Sequence, residues 1–190
     1  MKNTFLEETF EANFSEQNQS GFNYEYCVFR NCDFSKINFC EAIFESCEFI
    51  GCNFSNVQVS KATFQEVQFV DCKILGVRFD HANSIGLSFE FVNSTLDFSS
   101  FYQLDLRRTL FKKSTFMETD FTEANLTDSV FDSCDLKQTV FENTILKKVN
   151  FLTSFNIKID LENNNLRGAS FSLSETPDYS ICLGLKSYNI

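Results

Sequence analysis

Eight cysteines and a single histidine are the side chains of this 190-residue chain best suited to chemistry. Thiolates with a nearby imidazole can hold zinc, and an even cysteine count in a small secreted protein suggests disulfides. The spacing argues against both. No C-x2-C pair exists, and the nearest pairs, Cys27/Cys32 and Cys47/Cys52, lie five residues apart. The start MKNTFLEETFEANF is acidic and has no apolar stretch of the kind a signal peptide needs. Reduced thiols and a cytoplasmic setting are therefore expected. His81 has no Cys–His–Asp or Ser–His–Asp set around it in the sequence and reads as a loop or surface residue. A glycine-rich phosphate loop, HExxH and G-x-S-x-G are all missing, as is any run of 18 apolar residues. The expectation is a non-enzymatic protein with no metal, no cofactor and no membrane span.

The cysteines make better sense as part of a repeat. Phe29, Phe34, Phe39, Phe44, Phe49 and Phe54 recur at intervals of five, and apolar centres continue at that spacing to Phe89, broken once at Ser84. The series then shifts by two residues, resumes at Leu96 and runs to Phe151. It fails at Asn156 and returns at Leu161, Leu166 and Phe171. The residue two before each centre is usually small, and the residues between are mostly polar. Two positions in five thus point inward. Neither a helix nor an ordinary strand has this period. With only six glycines and one proline, the chain must also turn by some other device.

A second period, of twenty, overlies the first. One series reads Phe29, Phe49, Phe69, Phe89, Phe111, Phe131, Phe151, Phe171, provided that the shift is a bulge near residues 90–96. Small residues repeat as Cys32, Cys52, Cys72 and Cys134, and as Ala42, Ala62 and Ala82. Four five-residue sides per coil follow. On this reading the cysteines are small core residues sharing their positions with Ala and Ser. Cys40, just after a centre, is the exception and should face outward as the most reactive thiol.

Units such as EANLT (123–127) and GASFS (168–172) resemble the pentapeptide-repeat family, and the likeness covers residues 24–171. It implies an all-β, right-handed quadrilateral β-helix of about seven coils. Residues 1–23 then read as an N-terminal capping segment, with an irregularity near 153–160. In residues 172–190, Thr176, Pro177 and Asp178 predict a short α-helix over about 177–186. Its Tyr179, Ile181, Leu183 and Leu185 could cap the last coil or pair with a second copy. The ending NNNLRGASFSLSETPDYSICLGL narrows the resemblance to the quinolone-resistance (Qnr-like), topoisomerase-protecting members. Those members imply a homodimer joined at its C-terminal ends. They also imply an acidic rod that imitates DNA, binds DNA gyrase or topoisomerase IV and protects it from quinolones or toxins.

A formal net charge of −10 excludes a basic nucleic-acid groove and fits a protein partner. The candidate partner surface comprises Glu7, Glu8, Glu11, Glu16 and Glu25 near the start, and a basic belt of Arg107, Arg108, Lys112 and Lys113. That belt departs from a uniform polyanion. The alternative reading is a structural or interaction module with an unknown partner that is not a topoisomerase.

Overall fold

The computed structural model describes residues 3–11 and 18–172. The expected helix over 177–186, with Tyr179, Ile181, Leu183 and Leu185, lies outside the described residues, as does Glu16.

Thirteen short strands are present among the described residues. They are β1 (Thr4–Leu6), β2 (Thr9–Phe10), β3 (Asn23–Glu25), β4 (Val28–Arg30), β5 (Ile43–Glu45), β6 (Glu48–Ile50), β7 (Thr63–Gln65), β8 (Val67–Val70), β9 (Phe89–Val92), β10 (Leu110–Lys112), β11 (Val130–Asp132), β12 (Asn150–Phe151) and β13 (Ser170–Phe171). All pair in parallel. Strands β1, β3, β5 and β7 form side one, and β2, β4, β6, β8, β9, β10, β11, β12 and β13 form the nine-stranded side two. Sides three and four are held by single parallel bridges, such as Asp33 with Asn53 and Asn38 with Gln58. Partners lie twenty residues apart on all four sides, as in Phe44 with Phe64 and Phe111 with Phe131, except at the first level, where they lie nineteen apart, and across residues 84–87, where they lie twenty-two apart. The chain is thus a right-handed parallel solenoid of about eight turns. Residues 4–10 already belong to both sheets and add a level, hence about eight turns rather than about seven.

The turning device is a left-handed residue at most corners. Asn31, Lys36, Glu41 and Ser46 all have φ between 50° and 65°, although none is glycine. Each such residue costs about 1–2 kcal/mol. Its own N–H is placed to donate one level up, as Asn31 does to the Ile50 carbonyl (2.8 Å) and Glu41 to that of Ser60 (2.9 Å). Many turn sides also carry Asp or Asn just before the centre. The side-chain oxygen accepts the N–H two residues on, as between Asp33 and Ser35, Asn53 and Ser55, and Asp120 and Thr122.

Along side two, nine phenyl rings stack in one column: Phe10, Phe29, Phe49, Phe69, Phe91, Phe111, Phe131, Phe151 and Phe171. Neighbouring centroids lie 4.5–5.8 Å apart and the rings are within 18° of parallel. The column corrects the expected series at one level, because Phe69 pairs with Phe91 and not with Phe89. The two extra residues enter earlier than residues 90–96. Asn83 still bonds at the old register (Nδ2 to Thr63 Oγ1, 3.2 Å), whereas the Ser88 hydroxyl is already two residues on, beside Glu66 N. Residues 84–87 therefore leave side one as a loop. No side-one centre is left at that level, and Phe89 turns into the space against Phe64 and Phe79 (centroids 5.5 and 5.1 Å). Ala82, at the loop's foot, is partly exposed, unlike buried Ala42 and Ala62. At 153–160 the register holds, with Phe155 opposite Asp135. Asn156 takes φ 58°, its amide donates to Asp135 (2.7 Å), and Ile159 is buried.

The small inward residues also form hydrogen bonds. Cys32 stands at the Phe10 carbonyl, Cys52 at Phe29, Cys72 at Phe49 and Cys134 at Phe111, with S···O distances of 3.3–3.5 Å. Ser129, Thr139, Thr144 and Ser154 donate to the equivalent carbonyls of Leu106, Phe116, Phe121 and Phe131 at 2.8–2.9 Å. The slot takes a short side chain with a donor, which explains why Cys, Ser and Thr alternate there.

Candidate protein-interaction surfaces

Because centre and small residue point inward, three ladders on each side face solvent, and stacking sets which side chains share a surface. On side one, the residue after the centre reads Leu6, Glu25, Glu45, Gln65, then, beyond the loop, Arg107, Thr127, Lys147, Arg167. The corner residue reads Glu7, Tyr26, Ser46, Glu66, then Arg108, Asp128, Lys148, Gly168. The first four levels carry Glu7, Glu25, Glu45 and Glu66 with no cation. The last four carry Arg107, Arg108, Lys147, Lys148 and Arg167 against Asp105 and Asp128. Glu8 and Glu11 flank β2 on side two, whose later levels hold Lys112 and Lys113. Glu7, Glu8, Glu11 and Glu25 and the basic belt therefore share two adjoining sides, the acids on the first levels and the belt on the first level past loop 84–87.

Side four has a different pattern. Its last three levels hold Asp120, Glu123, Glu142, Asp160 and Glu162, with no Lys or Arg among residues 119–123, 139–143 and 159–163. This stripe, like Lys147, Lys148 and Arg167, was missed in the sequence. The signal was the twenty-residue period, applied there to inward residues only.

Among the described residues the ion pairs are few. Arg107 meets Asp105 at 2.7 Å, Arg78 meets Asp80 at 2.6 Å, His81 lies 3.6 Å from Asp80, and Lys61 is 3.7 Å from Glu41. Hydrogen bonds from Arg107 hold the Asp105 carboxyl below its usual range. Burial raises Asp80, but Arg78, Ser100 and His81 outweigh it and the net shift is downward. His81 is thus the neighbour of an ion pair whose carboxylate is buried and whose guanidinium is exposed. Loop 84–87 overhangs side one beside an open cleft of about 420 Å³ lined by Leu87, Arg107, Arg108 and Asp128. At the loop turn Gly86 has φ +71°, a conformation that strains any residue with a side chain, and it lies against the flexible amide end of Gln65.

Cys40 is partly exposed, while Cys27, Cys32, Cys47, Cys52, Cys72 and Cys134 are buried and not in disulfides. Burial pushes the Cys47 and Cys134 thiols up to about 12. Cys27 is raised by burial, and Cys52 by its contact with the Cys72 thiol and then by burial. Among the described residues no group of three His, Cys, Asp or Glu could hold a metal ion, and no helix is long and apolar enough to cross a membrane.

A parallel solenoid with five-residue sides and a left-handed residue at most corners defines a class of non-globular, surface-rich proteins. The chain belongs to the pentapeptide-repeat family: the pentapeptide repeat region matches residues 22–101, and pentapeptide repeats in eight copies match 90–128 and 124–152. No curated protein sequence matches it. Among solved structures it is similar to a trypsin-treated variant of QnrB1, a plasmid-mediated fluoroquinolone resistance protein. The TM-score is 0.60 at 17% identity, over 97% of this chain and 98% of that one. Full-length QnrB1 gives a TM-score of 0.54 at 17% identity, over 96% and 100%. The likeness concerns the fold.

Proposed function

We propose that the chain is a non-enzymatic interaction rod whose acidic stripe on side four docks into a basic groove of a protein partner. The partner is DNA gyrase or topoisomerase IV, and the groove is the one that otherwise receives DNA. The observation that carries this reading is the set of five carboxylates without a cation on the last three levels of side four. Three levels span about 14 Å. That is about one charge per 3 Å, against one per about 1.7 Å in duplex DNA. The likeness of fold to a fluoroquinolone resistance protein supports the choice of partner and, with it, protection from quinolones. Added to a gyrase supercoiling reaction containing ciprofloxacin, the protein is expected to restore supercoiling, less so as salt rises. No binding to gyrase at low salt contradicts the proposal.

A second reading has its own support. Side one reverses its charge halfway, which a uniform imitation of DNA does not need. On that reading the rod serves another partner, and neither supercoiling nor its inhibition changes when the protein is added.

A further inference from the structure

We infer that side one is an interface between two copies of this chain, paired side by side with the rods antiparallel about a twofold axis at the level of loop 84–87. This does not rest on the topoisomerase reading. A twofold axis lying in the face and along the strands keeps each ladder opposite itself and exchanges levels equidistant from the loop. One level out, Glu66 then meets Arg108, and Gln65 meets Arg107. Three levels out, Glu25 meets Lys147, and the Tyr26 ring meets Lys148, a cation–π arrangement. Four levels out, Glu7 lies diagonally across from Arg167. The second level lacks attraction, with Glu45 opposite Thr127 and Ser46 opposite Asp128, and at the fourth the direct opposites are Leu6 with Arg167 and Glu7 with Gly168.

Within one chain, Glu7, Glu25, Glu45, Glu66, Arg108, Lys147, Lys148 and Arg167 make no ion pair among the described residues. Parallel stacking of the rods would instead set like charges against like. The antiparallel arrangement also brings the two loop tips together at the axis, where Ile85 is 76% exposed. An apolar contact at the centre with complementary charge toward both ends is the usual anatomy of a specific interface.

Sedimentation velocity of the full chain at low and high salt tests the inference. A dimer is expected that weakens as salt rises. Arg108→Glu should weaken it about tenfold or more, because each pair occurs twice and attraction becomes repulsion. Glu66→Arg should do the same, and the double variant Glu66→Arg/Arg108→Glu should restore dimerisation. Both sites are exposed, so these changes leave the core intact. A monomer at low salt overturns the inference. So does a dimer indifferent to both reversals, as pairing through the C-terminal ends would give, or a double variant that fails to recover.

Discussion

The halves before and after loop 84–87 share one backbone and use different chemistry to fill it. Before the loop, side one is a sheet with aromatic centres Tyr24, Phe44 and Phe64 stacked 5.1–5.3 Å apart. After it, side one becomes turns with Leu106, Leu126, Leu146 and Leu166 as centres, joined by single bridges. The inward donors change likewise. Cys27, Cys32, Cys47, Cys52 and Cys72 precede the loop, whereas hydroxyls predominate after it. The first half gains from ring stacking and polarizable sulfur. The second gains from shorter hydrogen bonds to the same carbonyls. Side two crosses the boundary unchanged and carries the ring column through both halves, so the charge on the surface can reverse without altering the core.

The largest expected effect breaks that shared column. Phe91→Ala should cost about 3–5 kcal/mol in urea unfolding, as for other large-to-small core changes. Phe89→Ala should cost less, because its ring fills the space beside the loop and is 6% exposed, against 0% for Phe91. The reverse order would place the insertion on the wrong side of Phe89.

Alkaline pH should separate the halves next. A thiol whose folded pKa is raised stays protonated while its unfolded counterpart ionises. Its contribution is therefore complete below the unfolded value near 9 and is lost as pH climbs toward about 12. Cys27, Cys47 and Cys52 lie before the loop and Cys134 after it, so the urea midpoint should fall between pH 8 and 11, chiefly through the first half. Replacing Cys47 and Cys52 by Ser should flatten that profile more than replacing Cys134.

A smaller effect tests the hydrogen-bonded slot. Ser129→Ala removes the shorter of two donors to the Leu106 carbonyl, which keeps the Thr109 N–H (3.3 Å), and should cost about 0.5–1.5 kcal/mol. Cys52→Ser keeps a donor at the Phe29 carbonyl and should stay within about 1 kcal/mol. Equal losses would make the slot a matter of size alone. Finally, iodoacetamide should modify Cys40 in the native protein and reach the six buried thiols only on unfolding.

Much of this architecture was legible in the residues. Period five marked the inward positions, and period twenty placed Cys32 with Cys52 and Ala42 with Ala62. The insertion was misplaced because FEF at 89–91 offers two phenylalanines for one slot. Apolar pattern alone cannot tell that Phe89 occupies the usual small-residue position beside an emptied centre. The hydrogen-bonding role of the small residues was hidden because Ala, which donates nothing, shares their positions. The left-handed corners left only a faint trace, since Lys, Glu and Gln occupy them as readily as Asn. The surface was the least legible part. The basic belt at 107–113 stood out as a run, while Lys147, Lys148 and Arg167 join it only through stacking. The stripe on side four has no run at all, its five acids being spread over 43 residues of chain.

Binding of gyrase to paired charge-neutral variants tests most directly whether function follows the halves. Glu142→Gln/Glu162→Gln removes two charges from the late stripe on side four, and Glu25→Gln/Glu45→Gln removes two from the early levels of side one. At low salt the first pair should weaken binding about tenfold or more, while the second stays within a few-fold of the parent. Equal loss in both pairs, or loss confined to the second, would contradict the assignment of the docking surface to side four.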